Sequence, residues 1–277
     1  MTAEDRVSPL SYAILLILAF LFIFPFVWLV LTSFESNFDV IAHPTQLIPP
    51  VWHLSNYSDV WQVMDFVRQF TNSAIMTVGV TLGQVILSAM AGYAFARLRF
   101  RGRTALFLLV LALLLVPFEV IFVPLYLMLS NWGWINTYQA LILPSLANPF
   151  AIFVFRQFFL TIPKDLDEAM YIDGAGTWRI FWSLMLPLSG PAIATVTILT
   201  FLGEWSTLLK PLAFTSSESM RTLQVGLSYL NSGAFISQPK LAWLMAGVVL
   251  VSIPPIVVFL IFQERFVRSV ASSGVKG

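Results

Sequence analysis

A chain of 277 residues that is 58% hydrophobic, 15% aromatic and only 10% charged carries too little charge to solvate a globule of its size, which predicts an integral membrane protein. The absence of cysteine excludes disulfides, iron–sulfur clusters and a thiolate nucleophile. A formal net charge of +1 gives no sign of a nucleic-acid partner, so the information lies in where the charges sit.

A helix needs about 20 mostly apolar residues to cross roughly 30 Å of hydrocarbon. Six candidate spans follow one another at about 10–32, 72–96, 104–128, 138–160, 189–213 and 241–263. Open strands and irregular loops cannot face lipid, and these runs are too continuous for alternating barrel strands, so the prediction is a single all-α transmembrane domain over 1–277. The first run, Tyr12 to Leu31, is interrupted only by Pro25 and lacks a small-residue cleavage site after it, which reads as a retained span. The following segment, Ser33 to Thr71, holds Pro44, Pro49 and Pro50 with Trp52, Tyr57 and Trp61; it suits docking of a soluble partner or short amphipathic helices at the interface. His43 and His53 lie in this Pro-rich segment and read as solvated loop side chains, so no metal site is predicted.

In the second span Gly79, Gly83, Ser88 and Gly92 would let another helix approach closely, either inside this chain or across a subunit interface. Lys and Arg orient the bundle. With the N-terminus inside, 11 of the 15 basic residues face the cytoplasm: Arg6, Arg97, Arg99, Arg101, Arg103, Arg156, Lys164, Arg179, Arg265, Arg268 and Lys276. Arg68, Arg221 and Lys240 fall outside, and Lys210 lies in or near a span. Both termini and the connection 161–188 are therefore predicted to be cytoplasmic, and Thr215 to Lys240 forms a second long outside segment.

The connection 161–188 is unusual for so apolar a chain, because four acids fall between Asp165 and Asp173. Pro163 ends the fourth span, and Asp165 with Glu168 three residues later has the pattern of a capping box, predicting a short helix from about Leu166 to Ile172. Gly174 can supply a left-handed residue that ends it. A second helix, Thr177 to Leu186, is predicted to place Trp178, Phe181, Trp182 and Met185 on one apolar face, and Pro187 and Pro191 start the next span.

Glu168, Ala169, Asp173, Gly174 and Ala175, with Pro187 and Pro191, resemble the EAA loop of binding-protein-dependent ABC importer permeases. The stretches TNSAIMTVGVT, AGYAFARLRFRG, VPLYLMLSNWGWINTYQALILP, RQFFLTIPKDLDEAM and FQERFVRSVASSGVKG are similar to the carbohydrate branch of the maltose-transporter MalG type, so the resemblance runs from about Ser8 to Gly277. Met170 stands where a second alanine is usual, and Glu204-Trp205-Ser206 where such permeases often have a Trp-Asn pair. The resemblance implies a MetI-like type I importer subunit in the cytoplasmic (inner) membrane of a bacterium or archaeon. It implies as partners a second homologous permease of the MalF type, an ABC ATPase dimer, an extracytoplasmic binding protein and membrane lipid. It also implies that Glu168, Ala169, Met170, Asp173, Gly174, Ala175 and Pro187 shape or dock the coupling helix.

No glycine-rich phosphate loop with Lys and Ser/Thr is present, and no His-Ser-Asp set suggests itself, so this chain is predicted to be non-catalytic and to bind no cofactor. ATP and magnesium would belong to the partner ATPase.

Ionisable residues inside spans are candidates for function by default, and here they are Glu119, Glu204 and Lys210. At about 1.5 Å per residue, Glu119 and Glu204 lie roughly 22 Å from the inner ends of uninterrupted spans, which places both in the outer half. Glu204 and Lys210 are six residues apart and do not share a helix face, so Lys210 is predicted to snorkel rather than to pair. Asn148 and Gln84 add mid-membrane amides, and Phe201 and Trp205 add flat faces beside Glu204 and Ser206. Such a set suits a sugar hydroxyl pathway, and it equally suits buried hydrogen bonds between helices. The alternative to an importer subunit is an autonomous secondary transporter or channel, for which no inverted repeat is visible.

Overall fold

The computed structural model describes residues 9–232 and 240–274, with side chains through Gln263. The side chains of Arg6, Arg265, Arg268 and Lys276 lie outside the described residues. Helices account for all regular structure among the described residues. They are α1 Pro9–Thr32, α2 Asn37–Ala42, α3 Ser55–Val63, α4 Phe66–Arg97, α5 Arg103–Leu113, α6 Phe118–Asn131, α7 Tyr138–Ile142, α8 Pro149–Thr161 and α9 Lys164–Ile172. They continue as α10 Thr177–Ile180, which passes through a π-helical turn Phe181–Met185 into α11 Leu186–Leu188, and then α12 Gly190–Ser206, α13 Leu209–Phe214, α14 Leu223–Ser232 and α15 Leu241–Gly274.

At three of the six expected spans lie single helices long and apolar enough to cross a membrane: α1, α4 and the Leu241–Gln263 part of α15. The other three are bent pairs, which corrects the expectation of uninterrupted spans. Helices α5 and α6 turn by 97° at Pro117, which is extended at φ −62°, ψ 142°. Proline has no N–H to continue the ladder and pushes the residue before it out of the helical region. The segment Tyr138–Ser145 meets α8 at 42° across Asn148, itself extended before Pro149, and Thr177–Leu188 meets α12 at 75°. Helix α12 ends at Thr207, where ψ is 129°, so the span expected at 189–213 is also divided. Helix α4 begins at Phe66, six residues ahead of the predicted boundary.

The chain forms two compact units, one of Met1–Val67 with Gly226–Ile253, the other of Arg68–Val225 with Pro254–Gly277. In the first, the Asn56 amide donates to the carbonyls of Ser33 and Glu35, both at 2.9 Å, and the Tyr57 and Ser33 hydroxyls lie 2.7 Å apart. These bonds fold the segment after α1 back on itself as the short helices α2 and α3. Only Thr32 of α1 is buried, so this helix presents apolar side chains on every side.

The second unit holds the larger core: Tyr93 and Ala96 of α4, Phe155 and Phe159 of α8, Ile180, Phe181 and Met185 of the loop, and Ala192 and Val196 of α12. The small-residue face of α4 is used within this unit. A Cβ on Gly83 would stand 2.4 Å from a Leu146 methyl, and one on Gly92 would stand 2.7 Å from Phe155 Cβ and 2.8 Å from the Arg156 backbone nitrogen. Close approach of α8 to α4 therefore decides between the two readings of the glycine pattern in favour of packing inside the chain. Gly92→Ala is expected to destabilise the fold by about 1–3 kcal/mol, because backbone cannot move aside as a side-chain tip can. Gly203→Ala on α12, where a Cβ meets nothing within 4 Å, is the control that should leave a detergent melting curve unshifted or raised.

Candidate functional site

Two groups of residues combine unusual chemistry with defined geometry, both in the second unit. The first is the loop between α8 and α12. Helix α9 starts one residue after Pro163, whose extended backbone makes it the N-cap, and no side chain caps the helix. The capping box expected from Asp165 and Glu168 is therefore absent: the helix begins earlier than predicted, and Asp165 and Asp167 both fall in its first turn, where they complement the helix dipole.

Asp167 instead turns inward. Its carboxylate lies 3.1 Å from Arg97 Nε at the end of α4, with side chains only 12% and 5% exposed, and Arg97 also donates to the Ile162 carbonyl. Burial pushes the Asp167 carboxyl above the usual carboxylate range, Arg97 pulls it back down, and Glu168 pushes it up. One arginine thus fastens the loop to α4. Nothing in the local sequence pairs these residues, since 70 positions separate Arg97 from Asp167.

The end of α9 follows the expectation in full detail. Gly174 is left-handed at φ +77°, its N–H donates to the Tyr171 carbonyl at 3.0 Å, and the Ala175 N–H donates to the Met170 carbonyl at 2.9 Å. Those two bonds make a Schellman closure. Ala175 is buried, Met170 packs on the core, and Glu168, Ala169 and Asp173 remain exposed. Beyond the turn the predicted apolar face divides. Phe181 and Met185 are buried with Ile180, whereas Trp178 and Trp182 face outward. The π-helical turn at Phe181–Met185 adds a residue to the local period, which takes this segment off the 3.6-residue spacing that the single apolar face assumes. Pro187 lies in the helical turn that ends this segment. Tyr171, Ile172 and Trp178 form an exposed apolar tip, with Ile172 86% exposed.

The second group is a polar cluster where helices break. Gln84 of α4 is buried and donates to the Ser145 carbonyl at 2.6 Å, while its Oε1 accepts from Asn148 at 3.0 Å and from the Thr200 hydroxyl at 2.8 Å. Asn148 Oδ1 accepts from the Ala151 N–H at 3.1 Å and so caps α8. Of the two uses open to Gln84 and Asn148, the hydrogen bonds between helices are realised.

Lys210 overturns its expectation. It is buried, pairs with Glu204 at 2.5 Å and donates to Ser145 Oγ at 2.8 Å. The rule that residues six apart cannot meet assumes one continuous helix, and the break at Thr207 removes that condition. Phe201 and Trp205 also depart from expectation. They stack at 5.6 Å and are 8% and 3% exposed, so they are core and not open faces. Ser206 is exposed. Glu119 occupies the first turn of α6, after the 97° bend, so its depth cannot be reckoned along a straight third span.

A cavity of about 880 Å³ opens beside this cluster; Gln84, Ser145, Asn148 and Glu204 supply its polar lining, and Trp132 and Trp134 join a mostly apolar remainder from α6 and the turn before α8. Trp132 and Trp134 meet edge to face at 5.2 Å. A mostly apolar lining with a few polar side chains is the usual make-up of a small-molecule pocket. Trp132 and Trp134 belong to a stretch that carries the resemblance, but nothing in its local pattern marks them as lining a cavity, because they follow the third span in what reads as an ordinary connection.

A family model described as a binding-protein-dependent transport system inner membrane component matches residues 84–272, which includes both groups. The diacetylchitobiose uptake system permease protein NgcG of Streptomyces coelicolor is 34% identical over 273 residues, covering 98% of this chain and 89% of that protein. The arabinooligosaccharides transport system permease protein AraQ of Halalkalibacterium halodurans is 35% identical, covering 94% and 93%. The sn-glycerol-3-phosphate transport system permease protein UgpE of Yersinia pestis is 35% identical, covering 95% of each. A chain from the crystal structure of a bacterial ABC transporter involved in the import of the acidic polysaccharide alginate superposes with a TM-score of 0.80 at 24% identity, covering 96% of this chain and 99% of that one, so the two share a fold.

Proposed function

We propose that this chain, which belongs to the family of binding-protein-dependent transport system inner membrane components, is the permease subunit through which an ATP-driven importer passes a sugar or a sugar-like solute. The observation that carries the reading is the closed loop: a helix locked by a Schellman turn, fastened to α4 through Asp167 and Arg97, and ending in an exposed apolar tip. A rigid lever with an apolar end suits a groove on a soluble motor, whereas a passive connection requires none of those features.

In this reading Glu168, Ala169, Met170, Asp173, Gly174, Ala175 and Pro187 shape or dock the coupling element. The ATPase is a separate dimer that uses ATP and magnesium, and this chain binds no cofactor itself. A second, homologous permease completes the membrane route, and an extracytoplasmic binding protein delivers the solute. Both termini and the coupling loop face the cytoplasm, in the inner membrane of a bacterium or archaeon. Closure of the ATPase draws the coupling loops together, and because Arg97 ties the loop to α4 and Met185 packs beneath α12, the displacement reaches the spans directly.

The substrate class rests on the cavity lined by Glu204, Gln84 and Asn148 together with Trp132 and Trp134, and on the carbohydrate solutes named for two of the relatives. The remaining candidates Glu119, Phe201, Trp205 and Ser206 support the route only indirectly. Of the three ionisable residues expected inside spans, Glu204 and Lys210 pair with each other, which leaves Glu119 as the one candidate for an ion-coupling charge in a secondary transporter.

The test is uptake of labelled oligosaccharide into vesicles that contain this chain with its co-purifying subunits. Uptake that needs ATP and stops with vanadate is expected. Uptake by this chain alone, driven by an ion gradient and indifferent to vanadate, would establish the autonomous transporter instead.

A further inference from the structure

A second large cavity, about 940 Å³, lies between the turn after α4 and the loop helix α9, so that one of its walls is the coupling element and the other the α4–α5 turn. Its charged lining is Arg97, Arg99, Arg103 and Lys164 against Asp167 and Glu168. Arg97 is already engaged by Asp167. Arg103 donates to the Leu98 carbonyl at 3.1 Å through one of its nitrogens and keeps its other donors. Arg99 and Lys164 are exposed and have no ion pair among the described residues. Three cations therefore face one unpaired carboxylate, that of Glu168. That excess of positive charge suits an anion.

Its setting narrows the choice of anion. The cavity lies where α4 ends and α5 begins, and Thr104 and Ala105 of the first turn of α5 line it. One helical turn further on the same face stand Leu108 and Leu109, 59% and 60% exposed, and Phe100 and Leu160 at the rim are 40% and 44% exposed. A soluble anion gains nothing from that apolar flank. A phospholipid uses both parts, with its phosphate among the cations and its chains along the leucines.

We propose that this cavity binds the headgroup of an anionic phospholipid through Arg99, Arg103 and Lys164. The proposal rests on α4 and the bent pair of α5 and α6 crossing the membrane, and it gives the bilayer a direct hold on the coupling helix, because Lys164, Glu168 and Tyr171 of α9 line the same space.

The experiment is native mass spectrometry of the full chain released from nanodiscs of mixed phosphatidylglycerol and phosphatidylcholine. Preferential retention of phosphatidylglycerol is expected, and the Arg99→Gln/Lys164→Gln double variant should lower that preference on the order of 10- to 30-fold. Arg101→Gln/Arg179→Gln removes two nearby charges that do not line the cavity and should retain it. Equal loss in both double variants, or no preference in the wild type, would overturn the site. Displacement of the lipid by millimolar inorganic phosphate would identify a free-anion site and overturn the lipid assignment. The cysteine-free background separates these outcomes from the topology. An Arg101→Cys variant should react with an impermeant maleimide only from the cytoplasmic side. Labelling from outside would refute the orientation without touching the lipid result.

Discussion

Replacing Gly174 by valine is expected to abolish solute uptake while leaving the amount of protein in the membrane unchanged. The reason is conformational and not steric, since a Cβ at this position meets nothing within 4 Å. Gly174 is held at φ +77°, a region that costs a residue with a Cβ about 1–2 kcal/mol and a β-branched residue more. Valine escapes by moving out of that region, which breaks the two bonds from Gly174 and Ala175 that close α9. Ile172 and Trp178 would then no longer present one tip. The core below the loop is held by Phe181, Met185 and their contacts with α4, α8 and α12, so folding and insertion survive. A graded series checks the cause: asparagine, which tolerates the left-handed region, should retain most uptake, alanine less, and valine least. A flat series, with valine transporting as well as glycine, would remove the loop from coupling.

That loop also shows what the sequence could and could not reveal. Gly174 was legible because a left-handed residue after an acidic helix has a chemical signature. The fastening of Asp167 by Arg97 was not, because a pair so distant in the chain leaves no periodicity. Hydropathy marks where the apolar runs lie but not where they bend, although Pro117 and the Asn148-Pro149 pair carry the signal for the bends. Hydropathy averages over a window, and a broken helix stays as apolar as a straight one. The misreading of Lys210 follows from this. On a straight fifth span helical spacing puts Glu204 and Lys210 on different faces, and the extended backbone at Thr207 brings them together.

Substitution of Lys210 by methionine is accordingly expected to be among the most destabilising changes in the chain. It leaves the Glu204 carboxylate, 16% exposed, without its cation. Removing one partner of a buried pair costs about 3–5 kcal/mol, whereas replacing both partners by neutral groups of similar volume is often close to neutral. The order expected in detergent melting curves is therefore Lys210→Met lowest, Glu204→Gln intermediate and the double variant near wild type. Glu204→Gln is the milder single change because Lys210 keeps Ser145 Oγ at 2.8 Å and the glutamine oxygen still accepts. The double variant then separates structure from transport. With the break at Thr207 held and the charge gone, a fall in uptake that exceeds any fall in membrane level assigns Glu204 to the solute route beside Gln84 and Asn148. Full uptake by a double variant that melts normally would make the pair purely architectural, and the cavity wall that touches solute would then be the one formed by Trp132 and Trp134.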